Sequence, residues 1–160
     1  MHNAPSADGV TLPHVRELAQ FLALCHGQGP AILWPEQERV AHEGQDATTV
    51  LAAEGRELAR LTGLQPTIEW HRADEGGARP LSTGSSGHLL VQQEDGAGTW
   101  RLHAVPGAEE SFSCRLRSGE VLYVPPGWSW RADLTPGARL LLTRLGPAAG
   151  EPAAGSPAPA

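Results

Sequence analysis

The apolar positions of this chain change period once, near residue 65. Upstream, Leu12, Val15, Leu18, Ala19, Leu22 and Cys25 recur at intervals of three and four, the stripe of an amphipathic helix. The spacing predicts a helix from Thr11 to His26, with Thr11 as its cap, Pro13 tolerated in the first turn, and Gly27 and Gly29 as its stop. Ala31 to Trp34, closed by Pro35, reads as a short strand, and a polar loop follows to Gln45. A second helix is predicted from Asp46 to Leu61, with Val50, Leu51, Leu58 and Leu61 on one side, Gly55 as a weak point and Gly63 as its terminator.

Downstream the apolar residues come in short runs bounded by Gly, Pro, Asp or Ser. These predict strands at Thr67 to Ala73, His88 to Gln93, Thr99 to His103, Ser111 to Arg117, Val121 to Val124, Ser129 to Leu134 and Ala138 to Leu145. Phe112, Cys114 and Leu116 alternate with Ser111, Ser113, Arg115 and Arg117, the period of a strand with one buried face. The run GARPLSTGSSG is read as a flexible loop. Seven strands behind two helices favour a mainly β fold, a barrel or double-sheet jelly roll, over a βαβ plan. Residues 1–65 are expected to form one domain with a barrel core at 66–145, followed by a disordered tail at 146–160.

A chain of 160 residues has room for one ordinary core. Its formal charge is -6, and all 12 basic residues are arginine without a basic cluster, so nucleic acid is a poor partner. Cys25 and Cys114 lie in apolar patterns, far apart, and read as core thiols rather than a disulfide or zinc site. MHNAPSADGV lacks the basic start and apolar centre of a signal peptide, and no run reaches the ~18 apolar residues of a membrane span. The expectation is a cytoplasmic protein with no membrane partner, compatible with a homo-oligomer.

Two stretches carry more specific information. In HLLVQQEDGAGTWRL, Gln93, Gly96 and Trp100 are spaced Gln-x2-Gly-x3-Trp; in GEVLYVPPGWSW, Gly119, Pro125, Gly127 and Trp130 follow Gly-x5-Pro-x-Gly-x2 and then the final position. In this order the chain resembles the bacterial JmjC-like cupins, the group that includes ribosomal-protein hydroxylases. The resemblance implies a cupin double-stranded β-helix, a jelly-roll barrel with N-terminal helices. Hydroxylating members hold Fe(II) with a His-x-Asp pair and a distal histidine, leaving positions for 2-oxoglutarate and oxygen. Carried over by spacing, those positions fall on Thr83, Ser85 and Trp130, and the cation that pairs with the cosubstrate falls on Gly98. Protonated hydroxyls and an indole N–H are not iron ligands. The resemblance therefore implies a barrel without metal or cofactor.

For the remaining candidates two readings stand side by side. His71 and Glu69 have the parity to point inward from the first barrel strand; His71 is either an ordinary hydrogen-bonded histidine or an acid or base. His88 lies on the face opposite Gln93. Trp100, Trp128 and Trp130 either fill the lumen or line a pocket in which Thr83, Ser85, Gln93, Gly98 and Tyr123 surround a small ligand. Ser85 as a nucleophile beside His71 lacks an orienting group. Three functions follow: a catalytically degenerate cupin binding a small molecule or protein partner; a metal-independent isomerase, epimerase or cyclase using His71 or Tyr123; and an Fe(II)/2-oxoglutarate oxygenase with other ligands.

Overall fold

The computed structural model describes residues 12–37, 46–73, 81–84, 87–104 and 109–147. Two helices, α1 (Pro13–Cys25) and α2 (Ala47–Thr62), accompany nine strands. The strands are β1 (Ala31–Leu33), β2 (Gln65–Arg72), β3 (Leu81–Gly84), β4 (His88–Asp95), β5 (Ala97–His103), β6 (Ser111–Arg117), β7 (Val121–Val124), β8 (Ser129–Leu134) and β9 (Arg139–Gly146). The ends of α2 follow from its local chemistry. Asp46 accepts from the Thr48 amide, and Gly63, at φ 73°, takes the left-handed conformation and returns its N–H to the Ala59 carbonyl at 2.8 Å. The cap position of α1 falls on Leu12, which makes no side-chain cap; Thr11 lies outside the described residues.

All strand pairs are antiparallel. They form a five-stranded sheet in the order β1-β7-β4-β9-β2 and a four-stranded sheet in the order β3-β8-β5-β6. From β2 to β9 the chain crosses repeatedly between the sheets, staying in one only from β5 to β6. This is the double-sheet jelly roll, the architecture of cupin barrels. The segment expected as a loop around Leu81 to Gly84 is strand β3, with Thr83 in register with Trp130. Its partner lies almost fifty residues away, so composition around Leu81 could not reveal it. The tail beyond Pro147 lies outside the described residues.

Two apolar layers flank the five-stranded sheet. Between the sheets, Leu89, Val91, Leu122, Val124, Leu140 and Leu142 meet Trp100, Leu102, Leu116, Trp130 and Leu134. On the outer face, Leu90, Val121, Tyr123 and Leu145 meet Val15, Leu18, Phe21, Leu22 and Cys25 of α1 and Leu58 of α2. Strand β7 is buried at all four positions, which accounts for the uninterrupted apolar run VLYV. Among the described residues no helix is long and apolar enough to cross a membrane.

Candidate functional site

Side chains fill the lumen between the two sheets. Strand β5 turns Gly98, Trp100 and Leu102 inward, and β8 turns Trp130, Ala132 and Leu134 to meet them. Trp100 and Trp130 are diagonal neighbours on this face, 0% and 3% exposed, with ring centroids 5.0 Å apart at 41°. Trp128, before β8, is half-buried against the same cluster. Gly98 does not open a pocket wall. A Cβ there would meet Leu134 Cδ2 at 2.7 Å and Trp100 Nε1 at 3.1 Å, so the Trp100 indole already uses that space. Gln93 is buried, its Nε2 donating to the Asp95 carbonyl at 2.7 Å. Gln93 Oε1 and Trp100 Nε1 are buried without a partner among the described residues. Thr83 contributes its β3 backbone opposite Trp130; Ser85 lies outside the described residues.

His71 and Tyr123 are not brought together. His71 pairs with Leu140, an inward residue, and sits half-buried on the inner side of edge strand β2. Tyr123 is corrected from its expected place in the lumen. Leu122 and Val124 take the inward positions of β7, so Tyr123 points the other way, into the layer under α1. There it is fully buried, edge-on to Phe21 at 6.4 Å, and its hydroxyl shares a hydrogen bond with His88 Nδ1 at 2.7 Å. Burial, and then Cys25, push its phenol up to about 12. Burial, and then the neighbouring His26 ring, push His88 below its ordinary value. His88 thus stands on the face opposite Gln93, as strand parity predicts.

An open cavity of about 430 Å³ lies outside the barrel, where the end of α1 meets the sheet. Its walls are His14 and Leu18 of α1, Pro35 and Gln37 after β1, Gln92 to Glu94 of β4, and Ser118 to Val121 at the β6–β7 turn. The walls are tied in place. Glu17 accepts the amides of Glu36 and Gln37 at 3.0 and 3.1 Å, pinning that segment to α1. Ser118 Oγ donates to the Glu94 carbonyl at 2.8 Å, Gly119 N to the Gln93 carbonyl at 2.7 Å, and Glu120 Oε2 accepts from Arg117 N at 2.8 Å.

At this groove the fold makes a pair that sequence spacing did not suggest. His14 Nε2 lies 3.1 Å from Glu54 Oε1, joining α1 to α2, with side chains 10% and 5% exposed. The available signal was Glu54 itself, a carboxylate on the apolar stripe of α2 one turn before buried Leu58. The groove side chains include no arginine or lysine among the described residues, and no cluster of three or more His, Cys, Asp or Glu is arranged to hold a metal among them.

No family model matches the chain and no curated protein matches it. Solved structures align with part of this chain at low identity. The TDP-quinovose 3,4-ketoisomerase WlaRB from Campylobacter jejuni is 13% identical, covers 49% of this chain and 61% of its own, and has a TM-score of 0.42. RmlC from Streptococcus suis, in complex with dTDP-D-xylose, is 16% identical over 64% of this chain and 55% of its own, at 0.39. The epimerase RmlC from Legionella pneumophila is 14% identical over 72% of this chain and 65% of its own, at 0.47. The chain spans less than two thirds of the length of each.

Proposed function

We propose that this chain is a JmjC-like cupin that has lost its metal centre and serves as a binding module, its lumen packed and its ligand taken in the groove beneath α1. The observation that carries this reading is Trp130, 3% exposed and tilted onto Trp100 at 5.0 Å, in the place the resemblance assigns to the distal iron ligand. The residues present do not fit a facial-triad iron. Trp130 offers only an N–H donor, Gly98 has no room for a cationic side chain, and inward-facing His71 is a single imidazole. The groove, by contrast, is open and concave, and its mostly polar lining includes Leu18 and Val121.

The second reading is a metal-independent enzyme, and the observation favouring it is His14, which lines the groove and is paired behind it with the Glu54 carboxylate at 3.1 Å. Both readings place the ligand in the same groove. Two measurements test the proposal. Anaerobic titration with Fe(II), or Mn(II) as surrogate, with 2-oxoglutarate present, is expected to show no tight stoichiometric site; sub-micromolar binding abolished by His71→Ala would restore the oxygenase. A small-molecule fragment screen followed by amide NMR is expected to perturb Gln92, Ser118 and Glu120. Hits that move only the Trp100 and Trp130 indole signals would return the site to the lumen.

A further inference from the structure

Beyond the groove, we propose that β6 is a docking edge for a partner protein. It takes up an extended acidic peptide, with Asp or Glu alternating with apolar residues, as a further strand of the four-stranded sheet. Strand β6 is the last in that sheet and pairs with β5 alone among the described residues. Its backbone shows which groups are left over. Ala104 N donates to the Glu110 carbonyl at 3.0 Å, so Glu110 faces β5, and antiparallel alternation turns the N–H and C=O of Phe112, Cys114 and Leu116 the same way. The intervening residues turn theirs toward the open side. Arg117 shows it, because both of its groups are taken by Glu120: its N–H donates to Oε2 at 2.8 Å, and its carbonyl accepts from the Glu120 amide at 3.0 Å. Ser111, Ser113 and Arg115 keep theirs free among the described residues, a ladder for an incoming strand.

The two faces beside this edge select the peptide. On the outer face, which neither helix covers, Arg101 of β5 and Arg131 of β8 stand directly opposite one another, and Arg115 and Arg117 continue the row on β6; all four are exposed. Asp133 is the one carboxylate these three strands set on that face, 3.6 Å from Arg101. Arg115, Arg117 and Arg131 form no ion pair among the described residues. A positive face on a chain of net charge -6 favours an acidic partner, and arginine on an edge deters a cationic strand. Residues of the added strand opposite Ser113 and Arg115 share their face, so its carboxylates belong there. On the inner face Phe112 and Cys114 are only half-buried, whereas Leu116 is fully buried, so the alternate residues of the added strand are apolar. No Phe, Tyr or Trp stands at an outward position of β5, β6 or β8, which leaves a single-stranded nucleic acid without a stacking platform.

The test is fluorescence anisotropy and amide NMR of the full chain with a labelled nonapeptide alternating Glu and Val. Beside it run a Lys and Val counterpart, an isomer with the same Glu and Val residues grouped in two blocks, and oligothymidylate. The expected result is saturable binding of the alternating acidic peptide alone, weakening as salt rises. The amides of Ser111, Ser113 and Arg115 should become protected from solvent exchange on binding, while Arg117, already bonded to Glu120, stays unchanged. Arg115→Gln should weaken binding by roughly three- to tenfold. Ser113→Pro removes an open-side N–H that no β5 bond uses, so binding should fall roughly tenfold or more with amide dispersion retained; should that variant unfold, exchange protection in the wild type stands as the test. Equal binding of the block isomer without amide protection would overturn strand addition. Equal binding of the Lys peptide would overturn the charge argument, and tighter binding of oligothymidylate would overturn the partner class. Protection of the β6 amides that rises with protein concentration and no peptide present would make the occupant a second copy of this chain. Silence toward every probe would overturn the edge as a docking site.

Discussion

Replacing Trp130 by alanine tests the packed lumen most directly. The side chain is 3% exposed, stands in register with Leu102 of β5 and lies 5.0 Å from the Trp100 ring. A buried tryptophan covers about 150–250 Å², worth ~4–6 kcal/mol at about 25 cal/mol per Å² as an upper bound. Measured truncations of this kind cluster at about 3–5 kcal/mol, since relaxation around the site partly offsets the transfer and cavity terms. Two sheets held in register by ladder bonds relax little, so the upper half of that range is expected. In urea, with a slope near ~2 kcal/mol per M, the midpoint should fall by about 2 M with the slope unchanged. Thermal melting should drop by roughly 12–20 °C for a domain of this size. Trp34→Ala is the control: Trp34 is 76% exposed, and its loss should move stability by no more than about 0.5 kcal/mol. A Trp130→Ala loss below about 1 kcal/mol would refute the argument, because only a ring facing open space can be removed so cheaply.

Gly98→Ala should destabilise by about 1–3 kcal/mol in the same urea assay, since the new methyl would press on Leu134 and the Trp100 indole; a neutral or stabilising result would mean the lumen has slack there. Tyr123 is the only tyrosine, so ultraviolet titration of the phenol is unambiguous, and it should ionise near about 12 when folded against its ordinary 10.0 in denaturant. With the folded value raised, that stability is present below pH 10 and lost as pH climbs toward 12. For His88 the folded value is lowered, so the unfolded chain binds the proton first. Its contribution is present above the ordinary 6.5 and lost as pH falls below it, which urea midpoints at pH 7 and pH 5 should register as a decline. A midpoint unchanged in His88→Gln across the same interval, against a declining wild type, assigns the effect to this ring.

How much was legible differs by element and for definable reasons. The strand from Ser111 to Arg117 matches its predicted bounds because one face meets the core and the other water, so alternation is written into the residues. The ends of α2 were readable because Asp46 and Gly63 solve local hydrogen-bonding problems within a few residues. The turn at Pro125 to Gly127 and the inward Trp130 followed from the motif spacing and are found in the structure. Strand β7 shows the limit. With all four residues apolar and both faces buried, VLYV carries no polar mark to say which face meets the lumen. The side on which Tyr123 lies is decided by α1, which covers it in the outer layer.

What the sequence by itself determined, then, is whatever depends on neighbours along the chain: the helix stripes, the strand periods, the ends of α2 and the turns. Tertiary structure alone decided what depends on neighbours in space. Strand β3 exists because β8 offers it a ladder, with Trp130 opposite Thr83. Gly98 is closed rather than open because Trp100 and Leu134 converge on it from two strands. His14 and Glu54, 40 positions apart, become a buried pair because α1 and α2 pack side by side on one sheet. The physical reason is that backbone preference and period act over one or two turns of chain. Filling a volume or satisfying a buried charge is a condition on every side chain that reaches the spot, whatever its distance in sequence.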